Sequence, residues 1–106
     1  MGLFETTSYT LFRTPEFDKW FSKLSDKIAK RAINVRLARI SMGNFGDAKR
    51  IENISELRVD VGQGYRGYYT IRRKVIILLL IGGDKSTQKA DIIKAKALAS
   101  QPFSGE

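Results

Sequence analysis

Between Val75 and Ile81 the chain carries seven consecutive apolar residues. In an extended strand successive side chains point to opposite faces, so such a run is apolar on both. A strand of this kind is stable only at the centre of a sheet with a layer packed on each side. The run is too short to span a bilayer. A chain of 106 residues supplies one compact domain, and residues 1–106 are read as that domain, with frayed ends at about 1–7 and 100–106. Hydrophobic residues at 42% and charged residues at 28% are ordinary globular values and exclude a disordered or fibrous chain. Proline occurs only at positions 15 and 102, and no repeat is present, so no linker divides the chain.

The remaining elements arrange themselves around that strand. Residues 8–13 are rich in aromatic and β-branched types and read as a first strand. Thr14 then caps a helix that opens on Pro15, where a missing N–H costs nothing. Phe17, Trp20, Phe21 and Leu24 give it an i, i+3, i+4, i+7 apolar stripe. Asp26 caps a second helix from Lys27 to about Ser41, and so short a connection predicts a helical hairpin. Residues 42–47 read as a loop. From Glu56 the period changes to two: Leu57, Val59 and Val61 alternate with Glu56, Arg58 and Asp60. Gly62-Gln63-Gly64 is a turn, Tyr65–Ile71 the return strand, and Arg72-Arg73-Lys74 a second turn into the apolar run. Gly82 and Gly83 read as turn glycines before a last helix of roughly 87–99, with Ile92, Ile93, Ala95, Leu98 and Ala99 inward. The predicted order is β-α-α-β-β-β-α: an α+β fold, with a helical hairpin and a C-terminal helix packed on an antiparallel sheet.

The chain has no cysteine and no histidine. A disulfide framework, a thiolate metal site and every Ser-His or Cys-His nucleophile are therefore excluded. The carboxylates are scattered, with no pair placed to share a metal, and no phosphate-loop motif occurs, so no metal and no cofactor is expected. Nineteen Lys and Arg against eleven Asp and Glu give a net charge of +8, which favours a polyanionic partner. The N-terminus lacks a basic segment followed by an apolar one, which predicts a soluble, cytoplasmic chain without a membrane partner.

With an odd-numbered turn, Arg58 and Arg66 fall on one open face of the hairpin, in phase with Glu56 and Tyr68. Lys49 and Arg50 are expected to enter from the preceding loop, and Lys85 from the end of the central strand, so that five cations converge on one concave surface. Arginine binds two phosphate oxygens at once and tyrosine stacks on a base, which together suit an RNA backbone. Fixed guanidiniums would also neutralise the transition state of RNA cleavage through the 2′-hydroxyl. A solvated charged face without a ligand stands beside this reading. The helix cations Lys27, Lys30, Arg31, Arg36 and Arg39 are expected to form a generally attractive, solvated surface.

Several spaced motifs then carry a family resemblance over about residues 8–99. They are Phe17-Asp18-Lys19-Trp20, Gly43-Asn44-Phe45-Gly46-Asp47, Ser55-Glu56-Leu57-Arg58, Gly64-Tyr65-Arg66 with Tyr68-Tyr69, and Leu78-Leu79-Leu80 leading into Gly82-Gly83-Asp84-Lys85-Ser86-Thr87-Gln88, followed by Asp91-Ile92 and Ala95. Together they resemble the HigB-like addiction-module toxins of the RelE/ParE superfamily. The resemblance implies a toxin of a bacterial type II toxin–antitoxin system. Its RelE branch is a ribosome-dependent mRNA endonuclease, and its ParE branch poisons DNA gyrase. It implies Arg58, Arg66 and Lys85 as catalytic residues; on the reading of the residues above, Lys49, Arg50 and Tyr68 are expected to contact RNA. The implied partners are an acidic antitoxin with a DNA-binding domain, the ribosome and mRNA. Asp91 and Ile92 stand where better-studied relatives carry a catalytic tyrosine. Gly67 stands where they carry a bulky aliphatic residue, and is expected to leave a void and to loosen the strand that aims Arg66.

Overall fold

The computed structural model describes residues 8–102; the frayed ends expected at about 1–7 and 100–106 lie outside them except for residues 100–102. The elements run β1 (Thr10–Arg13), α1 (Pro15–Lys23), α2 (Lys27–Ser41), β2 (Ala48–Ile51), β3 (Ile54–Val59), β4 (Tyr65–Arg72), β5 (Ile76–Asp84), a 3₁₀ turn (Lys85–Thr87) and α3 (Gln88–Ala99). The α+β class follows the expectation, with two corrections. Ala48–Ile51 is a strand rather than a loop, and β1 pairs with β5 in parallel, so the sheet is mixed. The strand order is β1-β5-β4-β3-β2. The parallel pairing is possible because everything from α1 to β4 intervenes between the two strands, long enough for a crossover.

The apolar run lies where its pattern requires, between β1 and β4. Its alternate residues feed two cores. Ile77 and Leu79 join Phe17 of α1, Ala29, Ile33, Leu37 and Ile40 of α2, and Leu57 and Tyr69 on one face of the sheet. Leu78, Leu80 and Ile81 join Ile54, Tyr68 and the α3 residues Ala95 and Ala99 on the other. Leu80 and Ile81 share a side because of a bulge: Tyr68 pairs with Ile81 and Tyr69 with Leu79, leaving Leu80 without a partner in the β4 register. The Leu80 carbonyl instead accepts from Thr14 Oγ1 at 2.6 Å, while Thr14 Oγ1 itself accepts from the Phe17 N–H at 3.0 Å to cap α1. Asp26 caps α2 through the Ala29 N–H.

Two further expectations are corrected. Gly82 and Gly83 are strand residues of β5, not turn glycines. A Cβ at Gly82 would fall on the Trp20 ring, and one at Gly83 on Asp91 and Thr87, so these glycines permit α1 and α3 to approach the sheet closely. Ile93 is 71% exposed rather than inward. Gly67 borders an enclosed apolar void of about 10 Å³ shared with Phe17, Leu57 and Leu79. No helix among the described residues is long and apolar enough to cross a membrane.

Candidate nucleic-acid interface

The β3–β4 hairpin is what sets two guanidiniums side by side. Gly62 and Gly64 hold positive φ in its turn, at 58° and 79°, where a side chain would be strained. That turn fixes the register Arg58↔Arg66 and Glu56↔Tyr68. Lys85 follows β5 directly, in a turn that Asp84 caps: its carboxylate accepts from the Ser86 N–H at 2.8 Å, and Thr87 Oγ1 accepts from the Asp84 N–H at 3.3 Å. The Ser86 hydroxyl also donates to that carboxylate, and this bond first, with those from the Ser86 and Thr87 backbone N–H groups, holds the Asp84 carboxyl below the usual carboxylate range. The Lys85 stem lies over Gly64; a Cβ there would meet its Cε at 2.8 Å.

Arg58, Arg66 and Lys85 thus line one open cleft of about 310 Å³, walled also by Asp47, Val59, Asp60, Gly64 and Tyr65. The three cations differ in their engagement. Arg58 reaches Asp47 Oδ1 through Nη2 at 2.9 Å and Nε at 3.2 Å, in an exposed pair. Such a pair contributes about 0–1 kcal/mol and yields readily to a competing anion. Arg66 Nη1 donates to Glu56 Oε1 at 3.1 Å in a largely buried pair. Lys85 makes no ion pair among the described residues.

The remaining sequence candidates do not join them. Lys49 and Arg50 lie on β2 rather than in a loop. Lys49 pairs with Glu56 in register and so shares the Arg58 face, but it is not part of the cleft wall. Arg50 pairs with Ser55 on the opposite face and donates from Nε to the Glu52 carbonyl at 2.7 Å. The expected convergence of five cations is therefore one of three. Tyr68 is 0% exposed, so its ring is not a platform for a base. Its hydroxyl donates to Glu56 Oε2 at 3.1 Å. Burial first, then the adjacent Glu56 charge and the hydrogen bond to it, raise this phenol well above the usual tyrosine range.

Sequence reasoning missed the residues behind the cleft. Glu56, expected on an open face, is 1% exposed because α3 covers that part of the sheet. Besides Arg66 and Tyr68 it accepts from Gln88 Nε2 of α3 at 2.8 Å. Arg36 is no member of a solvated helix surface. Its Nη1 donates to the Arg58 carbonyl at 2.7 Å, and its Nη2 to the Phe45 and Asp47 carbonyls at 3.1 and 3.2 Å. It thereby ties the Asp47 loop to β3. Asp91, at the position the resemblance marks for a tyrosine, accepts from Thr87 Oγ1 at 2.6 Å and lines a separate groove with Gly83 and Lys94. Among the described residues no three carboxylates gather closely enough to hold a metal ion.

Comparison with known proteins bears on the whole chain. Residues 19–103 match the family described as phage derived protein Gp49-like. An uncharacterized protein of Haemophilus influenzae is 52% identical over 89 residues, covering 83% of this chain and 90% of that one. Among solved structures, a mutant of the E. coli toxin RelE in the free state superposes with a TM-score of 0.68 at 17% identity, over 85% of this chain and 97% of that one. At that identity the likeness is one of fold.

Proposed function

The chain belongs to the phage-derived Gp49-like family, and on that premise we propose that it is the toxin of a bacterial type II toxin–antitoxin system, inhibiting translation by cutting mRNA on the ribosome. The observation that supports this reading is the cleft: Arg58 from β3, Arg66 from β4 and Lys85 from the turn after β5 line one concavity. Three cations around about 310 Å³ match the charge that builds up on a phosphodiester as it is cut.

In this mechanism the 2′-oxygen of the substrate ribose attacks the adjacent phosphorus. The bond to the 5′-oxygen breaks, leaving a 2′,3′-cyclic phosphate and a 5′-hydroxyl. Arg58 exchanges Asp47 for a phosphate oxygen, and Arg66 presents the guanidinium edge that Glu56 does not occupy. Lys85, whose ammonium is unpaired among the described residues, gives a proton to the departing 5′-oxygen. One of the Asp47 and Asp60 carboxylates, which line the same cleft, accepts the 2′-hydroxyl proton in this mechanism. The +8 charge draws the chain to ribosomal RNA and equally to an acidic antitoxin.

Induction of the chain in a bacterial host should arrest growth, and mapping of transcript ends should reveal new 5′ ends within codons. Arg58→Ala and Arg66→Ala should each lower cleavage by about 10²–10³-fold, the usual consequence of losing one donor to a developing anion. Growth arrest that persists undiminished in both folded variants would overturn the assignment. Altered plasmid topology without new transcript ends would point to gyrase instead.

A further inference from the structure

A buried carboxylate needs an explanation at any position. Removing a charge from water costs several kcal/mol, and an apolar replacement of similar shape is often as stable or more so. Glu56 meets that cost with three donors from two elements: Arg66 Nη1 and Tyr68 Oη from β4, and Gln88 Nε2 from the first residue of α3. The arrangement leaves each carboxylate oxygen engaged, one by the arginine and the other by both neutral donors. Tyr68 and Gln88 therefore fix the carboxylate, and the carboxylate fixes the arginine. Arg66 Nε is itself buried without a hydrogen-bond partner, so among the described residues the guanidinium is anchored by Glu56 alone.

We propose that Glu56 is a positioning residue, whose carboxylate, held by Tyr68 and Gln88, clamps the Arg66 guanidinium at the wall of the cleft and makes its aim depend on the seating of α3. This rests on the reading of the cleft as the place where RNA is cut. The division of labour among the cations follows from it. Arg58, on an exposed partner, is free to change partners, whereas Arg66 stays fixed and supplies a preset donor. A donor held in place before the substrate arrives costs no reorganisation at the moment of reaction.

The test compares Glu56→Gln, which keeps the shape and removes the charge, with Gln88→Ala, which leaves the buried pair intact but frees one side of it. Two readouts are taken on the full chain. One is the exchange of the Arg66 side-chain N–H protons with water, followed by NMR; it needs no enzymatic activity. The other is ribosome-dependent mRNA cleavage, resolved into saturating rate and half-saturating ribosome concentration. The clamp requires faster Arg66 exchange in both variants, and a saturating rate lowered about ten- to a hundredfold in Glu56→Gln, as expected for a misplaced catalytic group. In an Arg66→Ala background, Glu56→Gln should then have no further effect on cleavage. Unchanged Arg66 exchange in both variants overturns the proposal, as does an equal loss of cleavage with and without Arg66. A wild-type chain that cuts no mRNA, yet loses Arg66 protection in both variants, would sink the nuclease reading and sustain the clamp.

Discussion

Single residues decide how tightly the helices close on the sheet. Gly67 and Gly82 both face the α1–α2 layer, yet they answer substitution oppositely. A Cβ at Gly67 would find its nearest neighbours, Leu57 and Phe17, at 4.0 Å, an ordinary contact. Gly67→Ala should therefore raise stability by about 0.5–1 kcal/mol in urea unfolding, chiefly by restricting the unfolded chain. Gly82→Ala drives a methyl into the Trp20 ring and should lower stability by about 1–3 kcal/mol in the same assay. Tyr68 offers a second contrast. Its phenol is held above the value of about 10 expected of an unfolded tyrosine, so its neutral form is the one that the fold stabilises. The sign follows: that stabilisation is complete below pH about 10 and is lost as the pH rises further. Tyr68→Phe should cost about 1–3 kcal/mol near neutral pH, because Glu56 loses a buried donor. It should also flatten the alkaline loss, and unfolding midpoints measured on both sides of that pH give the comparison.

At the scale of elements, helix caps and the central strand carry most of what can be foreseen. Thr14 and Asp26 announce α1 and α2 because a side-chain oxygen before an apolar stripe has one structural use, and both caps form. Thr14 does more than its type suggests, since its hydroxyl also donates to the bulged Leu80 carbonyl. Thr14→Ala should thus destabilise more than Asp26→Ala, which is expected at about 1 kcal/mol, and chemical denaturation of the two variants tests the order. Other elements left weak traces. The short strand Ala48–Ile51 has only its two end residues partly covered, so no alternation betrays it. The phase of β3 is readable, and with it the sharing of a face by Arg58 and Arg66. What covers that face is not, because α3 folds back from the far end of the chain. Glu56 therefore reads as a surface residue when it is a buried one, and Tyr68 as a platform when it is a support. The same limit hides Arg36, whose carbonyl partners Arg58, Phe45 and Asp47 bear no sequence signature.

For the whole molecule the excess of positive charge becomes specific only where the fold gathers it. If the cleft is where phosphates lie, RNA affinity should fall steeply with salt. Arg58→Ala and Lys85→Ala should each then reduce the slope of log affinity against log salt by about 0.7, the share of one phosphate contact on a single strand. Slopes unchanged from the wild type would place the contacts elsewhere on the surface. The pairing of β1 with β5 bears on when the chain becomes competent at all. Thr10 must wait for Ile76, and β4 for the same strand, before the sheet has a middle. A polypeptide emerging from its own ribosome therefore carries Arg58 and Arg66 well before the segment that aligns them with Lys85. On the proposed function, its cleft is therefore complete only after β5 and the turn bearing Lys85 have been made.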